Sequence, residues 1–294
     1  MNSNFQNYID PCVISDNPCT FTCAYCNTRL TGYEIDDIWE ISEERILNIH
    51  GETIKAFKEF HGLEDCYLNL RMDTVDWETV AQICPACGWW RIIKHCMIAA
   101  EEWQIWNMHF GCTSTIRNLD LTDISIPIEE VNAYLTAKYD DRFIVSPRKF
   151  EDVVAAVFRN LGYYASATAY SKDGGIDVIM EGTNDTQIGV QVKRYKNSIK
   201  AEQIRSLAGA LILGNYTKGM FVTTSTFQKS AITTAEDVSY KTMPVELIDG
   251  KDFYSKLRIS QQLSNKFTLI PIDIKTEVIP ELYYFGYDNP CNSL

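Results

Sequence analysis

The sequence predicts an α/β protein: a mixed β-sheet flanked by helices, preceded by a smaller α+β domain built around paired cysteines. Three observations predict it. Strand and helix signals alternate from residue 146 to about 256. Two C-x-x-C pairs, Cys23/Cys26 and Cys84/Cys87, stand in the first third of the chain. Charge also divides the chain. Residues 1–146 carry 10 Lys/Arg against 23 Asp/Glu, whereas residues 147–256 carry 14 against 12. The overall net charge of −12 argues against a nucleic-acid partner, but the split confines the acid to the first half.

A chain of 294 residues can bury two modest cores, and 46% apolar residues are enough to fill them. No apolar run approaches the ~20 residues of a membrane span. The opening MNSNFQNYID has neither the basic start nor the apolar stretch of a secretory signal, so a cytoplasmic protein is expected. In that reducing setting ten cysteines argue for metal or buried thiols rather than disulfides.

Residues 1–120 contain both cysteine pairs and all six tryptophans, Trp39 to Trp106. A helix is expected over 42–60, capped by Ser42, with Ile46, Ile49, Ile54 and Phe57 on one stripe. WWRIIKHCMIA and WQIWNMHFG alternate as two strands around a turn at Glu101 and Glu102. Their aromatics could form a stacking platform for a base, although aromatics at strand spacing also simply fill cores. Residues 121–145 read as a linker with a helix from Pro127 to about Tyr139.

The region 146–258 opens with Ser146-Pro147, an N-cap followed by proline at the first helical position, and its helix stops at Gly162. Strands are expected at 163–168, 175–181 and 187–194. They are followed by a helix at 201–213, the strand GMFVTT, a helix at 228–239, the strand PVELI and a helix from Gly250. The tail 259–294 is apolar and aromatic and is expected to pack on the body.

Two of these strands carry chemistry. Alternation places Ile176, Val178 and Met180 on one face and Asp177 on the other. In QIGVQVK it sets Gln191 and Lys193 opposite an apolar face of Ile188, Val190 and Val192. The 13 residues between Asp177 and Gln191 suit a hairpin that would bring an acid, an amide and an ammonium together. Carboxylate and amide oxygens can seat a hard divalent cation, and a lysine can offset charge growing on a phosphate. By itself the pattern is also what a turn aspartate and a solvated strand face would give.

The blocks SPRKFEDVVAAVFRNLGY, SKDGGIDVIM, VQVKRYK, GMFVTTSTF and VELIDGKDF resemble, in order, the catalytic domain of the Mrr-like restriction endonucleases. These are a branch of the PD-(D/E)xK nucleases. The resemblance implies a restriction-endonuclease-like sheet and a metal-dependent endonuclease hydrolysing DNA, in a setting of restriction or antiphage defence. It assigns Asp177 and Glu151 as metal-binding acids, Gln191 at a position that the wider superfamily fills with Asp or Glu, and Lys193 as the catalytic lysine. Mg²⁺ or Mn²⁺ is the implied cofactor. Arg194, Lys196, Lys200 and Lys172 are the expected DNA contacts. A catalytically silent fold serving as a DNA- or partner-binding sensor, and an RNA-directed nuclease, are the competing readings.

CAYC and CPACGWW resemble the two knuckles of a zinc-ribbon or treble-clef site, in which four thiolates close a structural Zn²⁺. The 57 residues between the pairs are long for a compact ribbon, and the helix at 42–60 would be the insertion. Four buried thiols are the competing reading. A homodimer is expected, because one site per subunit cuts one strand. The acidic N-terminal region is expected to meet a protein partner.

Overall fold

The computed structural model describes residues 5–6, 21–36, 44, 59, 75–100, 103–169, 174–182, 186–264, 266–267 and 283–288. The expected helix over 42–60 and Lys172 therefore lie outside the described residues, apart from Glu44 and Glu59, which are helical. No helix among them is long and apolar enough to cross a membrane.

The first part is an antiparallel five-stranded sheet. Its strands are β2 (Thr31–Glu34), β3 (Val75–Ile83), β4 (Trp90–Ala100), β5 (Trp103–Thr113) and β12 (Tyr283–Asp288), in the order β12-β5-β4-β3-β2. β4 and β5 are the two tryptophan-rich strands expected around residues 101–102. The last strand comes from the tail and pairs with β5, Tyr283 opposite Gly111. A short pair, β1 (Phe5–Gln6) with β6 (Thr115–Ile116), stands beside it. Trp89 and Trp90 are 2% and 1% exposed, so these two rings fill the core and offer no stacking platform. Strand spacing alone could not decide this, because both faces of β4 are covered around Trp90.

The connector forms α1 (Ile128–Ala137) and a 3-10 turn (Tyr139–Phe143). Next comes α2 (Pro147–Asn160), whose Ser146 side chain accepts a hydrogen bond from the Lys149 amide, as the Ser-Pro signal predicts. The Lys149 ammonium is itself buried and donates to the carbonyls of Ile124 and Ile126, fastening the connector to α2.

The second sheet contains β7 (Tyr164–Ala167), β8 (Val178–Glu181), β9 (Gln187–Lys193), β10 (Lys218–Thr223) and β11 (Val245–Ile248), in the order β11-β10-β9-β8-β7. β7, β8 and β9 run antiparallel to one another, whereas β10 and β11 join parallel to β9. The parallel members need crossovers, supplied by α3 (Ala201–Leu213) and α4 (Lys229–Lys241). These two helices cover one face, where Ile204, Leu207, Leu211 and Ala231 pack on Phe221. α1, α2 and α5 (Gly250–Leu263) cover the other, where Leu135, Val153 and Phe253 pack on Val178, Val190 and Val222. The mixed sheet flanked by helices is the architecture expected.

One expected register is corrected. Alternation put Ile176 on the same face as Val178 and Met180, but β8 begins only at Val178, and Ile176 packs with Leu211 and Phe221 on the opposite face. The two glycines before it set this entry. Gly174 and Gly175 have φ of +57° and +91°, so the chain turns there before it becomes extended.

Candidate active site and cysteine cluster

Asp177 sits where β8 and β9 begin to part. Its amide donates to Val190 O at 2.9 Å, while its carbonyl turns away to accept from the Thr168 amide at 3.0 Å. The Val192 amide is left facing the gap, and Asp177 Oδ2 accepts from it at 2.7 Å. The carboxylate thus takes the place a ladder carbonyl would fill. That fixes its rotamer and explains how a charged group stays only 6% exposed.

Gln191 and Lys193 follow on β9, on one face by the two-residue period of the strand. Lys193 Nζ lies 3.9 Å from Asp177 Oδ2 and remains partly exposed. Gln191 is 6% exposed, and its Oε1 is buried with no hydrogen-bond partner among the described residues. A buried amide oxygen without a donor is costly. The Gly175 backbone lies over this side chain, since a Cβ built there would stand 3.8 Å from Gln191 Nε2.

Glu151 is contributed by α2, where Arg148 Nη1 donates to its Oε2 at 2.8 Å. Its carboxyl is pushed above the ordinary carboxylate range, first by burial and further by the negative charge of Asp177, while Arg148 and Lys193 pull it back. That mutual influence places Glu151 in the electrostatic field of the other site residues. The fold therefore gathers Asp177, Gln191, Lys193 and Glu151 from three elements into one region. An orphaned amide oxygen and two carboxylates in one region are a donor set that fits a hard divalent cation.

The expected DNA contacts divide. Lys196 and Lys200 are exposed in the loop after β9. The Arg194 guanidinium is instead tucked inward, donating to the Phe143 carbonyl, with its Nε buried.

The four cysteines converge although 57 residues separate the pairs. Cys23 and Cys87 sulfurs are 3.5 Å apart, Cys26 and Cys84 3.4 Å, and Cys26 and Cys87 3.8 Å. Four thiolates at ~2.3 Å around Zn²⁺ would have tetrahedral edges of about 3.8 Å, so the cluster has the size of a zinc site. Burial pushes the Cys23 and Cys87 thiols up, while hydrogen bonds from neighbouring thiols hold Cys26 and Cys84 down. Negative charge shared among buried sulfurs is what a cation would neutralise. Gly88, at φ +84°, closes the second knuckle, and a Cβ there would meet the Phe267 ring at 2.8 Å.

Two residues the sequence did not mark complete this corner. Thr28 Oγ1 lies 3.2 Å from Cys26 Sγ and accepts from Arg258 Nη2 at 3.1 Å. Arg258 belongs to α5, so the first knuckle is anchored to the second half of the chain. No sequence signal links residues 230 positions apart.

Residues 144–257 match the family model described as a restriction endonuclease, of the Mrr catalytic type. The type IV methyl-directed restriction enzyme EcoKMrr of Escherichia coli (strain K12) is 31% identical over 114 residues, a match spanning 36% of this chain and 36% of the relative. Among solved structures, the DNA modification-dependent restriction endonuclease AspBHI covers 51% of this chain, and 41% of its own length is matched, at 20% identity and TM-score 0.35. A repair endonuclease from Pyrococcus abyssi covers 75% of this chain and 98% of its own length, at 13% identity and TM-score 0.25. Both scores are too low to establish a shared fold over the whole chain. The ordered sequence blocks, the mixed sheet and the family match agree on one segment: residues 144–257 match the restriction endonuclease family of the Mrr catalytic type.

Proposed function

We propose that this protein is a metal-dependent endonuclease that hydrolyses DNA phosphodiester bonds in restriction. The observation that carries the reading is the orphaned Oε1 of Gln191, buried on the strand that bears Lys193 and alongside Asp177. Asp177, Gln191 and Glu151 would hold Mg²⁺ or Mn²⁺, which when bound supplies Lewis-acid polarisation of the phosphate. Gln191 brings an oxygen without charge, so the two acids contribute −2 and a single cation suits the site.

Lys193 has two tasks. In the resting site its ammonium balances Asp177. With substrate bound it faces the phosphate, orients the attacking water and offsets charge as the water oxygen bonds to phosphorus and the bridging P–O bond breaks. The Val192 amide keeps Asp177 aimed throughout, so little reorganisation accompanies reaction.

The zinc reading of Cys23, Cys26, Cys84 and Cys87 is part of the same proposal, with the metal structural because four thiolates leave no open position. A subunit with one site cuts one strand, so double-strand cleavage requires a homodimer or larger assembly.

Plasmid cleavage tests the reading. Wild-type protein with Mg²⁺ or Mn²⁺ is expected to linearise or nick plasmid DNA, and Asp177→Ala and Lys193→Ala to lose at least about 10²-fold in rate, the scale on which removing one transition-state charge contact acts. Unchanged cleavage in both variants would remove the assigned site. RNA of matched sequence, run in parallel, is expected to be spared.

A further inference from the structure

A second polar feature lies beside the site and has no role in it. Between the 3-10 turn Tyr139–Phe143 and the loops after β9 and β10 runs a cleft of about 540 Å³, floored by Gly250 and Lys251 at the start of α5. Arg142 and Lys196 line its walls together with the hydroxyls of Ser198, Ser225 and Thr226.

Arg142 is built in rather than waving in solvent. Its guanidinium lies 4.2 Å from the Phe143 ring and 4.5 Å from the Tyr139 ring. Nε donates to Thr224 O at 3.3 Å and Nη1 to Tyr139 O at 3.0 Å, which leaves Nη2 without a hydrogen bond among the described residues. Lys196 Nζ stands 5.6 Å over the Phe143 ring, and neither Lys196 nor Lys251 has an ion-pair partner among the described residues. One carboxylate, Asp140, lines the cleft. It pairs with Arg142 Nη1 at 3.1 Å but is itself fully exposed. Asp249, next to the floor, is engaged with the amides of Lys251 and Asp252.

The cleft is fastened to the catalytic strand. Thr224 N donates to Lys193 O at 3.2 Å, Thr224 Oγ1 to Tyr195 O at 2.9 Å, and Ser225 Oγ to Lys196 O at 3.1 Å. Three residues of chain reach at most ~10 Å. Lys196 therefore lies within about three nucleotide rises of Lys193 along a DNA strand, at ~3.4 Å each. Arg142, Lys196 and Lys251 reach the cleft from three separate segments of the chain, so three positive charges face one exposed carboxylate, Asp140. That arrangement suits a run of phosphates better than a single small anion, and the hydroxyls are of the kind that bond phosphate oxygens.

We propose that this cleft holds the phosphate backbone of the DNA strand running on from the scissile bond, with Arg142, Lys196 and Lys251 as phosphate contacts. The choice of DNA rests on the nuclease reading above. Arg142 precedes the segment 144–257 matched by the family, so this contact belongs to the connector.

The test is binding of a fluorescein-labelled duplex by the full chain as a function of salt, in an Asp177→Asn background that keeps the Val192 acceptor and prevents cleavage. Lys196→Gln and Lys251→Gln alter exposed side chains that have no ion pair among the described residues, and both should leave the melting temperature nearly unchanged. Each is expected to weaken binding about eight-fold at 0.1 M salt, equally on unrelated sequences, and the pair together to lower the log–log salt slope by about two. Arg142→Lys keeps the charge but loses the planar fork, so it should weaken binding with the slope retained. Lys241→Gln, at the far end of the sheet, should change neither quantity. The proposal is overturned if the double variant binds with wild-type affinity and slope, if Lys241→Gln loses as much, or if the loss appears only on RNA. Wild-type binding by the cleft variants, with cleavage still abolished by Asp177→Ala, rejects the cleft and leaves the nuclease. Lost binding in a protein that never cleaves keeps the cleft and rejects the nuclease.

Discussion

At the scale of single residues, the site is a set of polar groups whose normal partners have been withdrawn or replaced. Asp177 accepts from a strand amide that the parting of β8 and β9 leaves open, and Gln191 Oε1 accepts from nothing among the described residues. Glu151 shows the electrostatic consequence. Burial and the Asp177 charge raise its pKa, so the folded protein holds this proton over a pH window in which the unfolded chain has released it. The folded state then binds more protons than the unfolded one, and stability falls as pH rises from the ordinary carboxylate value through the raised one. In metal-free protein Glu151→Gln should remove that part of the decline, visible as a flatter melting-temperature profile across mildly acidic pH. With Mg²⁺ present the wild type should lose cleavage as pH falls through the same window, because the cation and the proton compete for one carboxylate. An identical acid limb in Glu151→Gln, if that variant remains active, would assign the titration elsewhere.

At the scale of elements, geometry is set by how each one starts. α2 carries Glu151 immediately after its first turn, and the Ser146 hydroxyl fixes that turn by accepting from Lys149 N at 3.2 Å. Ser146→Ala should cost about 1 kcal/mol of stability, the usual worth of an N-cap, read as a few degrees in melting temperature. Activity per folded molecule should fall further than for an exposed helix cap elsewhere, because the turn that slackens leads directly into a proposed metal ligand. β8 begins three residues later than the strand expected from residue 175, since the glycine pair ahead of it turns the chain and sends Ile176 to the other face. A period-2 pattern shows where a strand could run but not where a turn interrupts it.

At the scale of the whole molecule, the cysteine cluster meets the helices of the second half at a polar corner. Cys26, Thr28 and Arg258 link the cysteine cluster to α5, and Ala137 of α1 packs against the same cysteines. On the zinc reading, metal analysis of the purified chain should find about one zinc per molecule. Cys84→Ser or a strong chelator should lower the melting temperature by on the order of 10 °C, because metal binding free energy here is folding free energy. Metal-free protein that melts as the holoprotein does would refute the site. The same corner explains why Arg258 escaped sequence reading: its partner lies at the other end of the chain, and nothing in a local window marks the pair.

Local chemistry in the sequence was sufficient for the cysteine pairs, the Ser-Pro helix start, the apolar stripes and the strand bearing Gln191 and Lys193, because each is written within a few residues at a fixed period. It also carried the family resemblance over residues 146–258, through blocks in a fixed order. Convergence was decided by tertiary structure. The parting of two strands aims Asp177, the covering of both sheet faces makes Trp89 and Trp90 core, and a turn before residue 144 brings Arg142 to the end of β9. These depend on contacts between distant segments, whose closure is governed by packing and hydrogen-bond satisfaction across the whole chain rather than by any residue's neighbours in sequence.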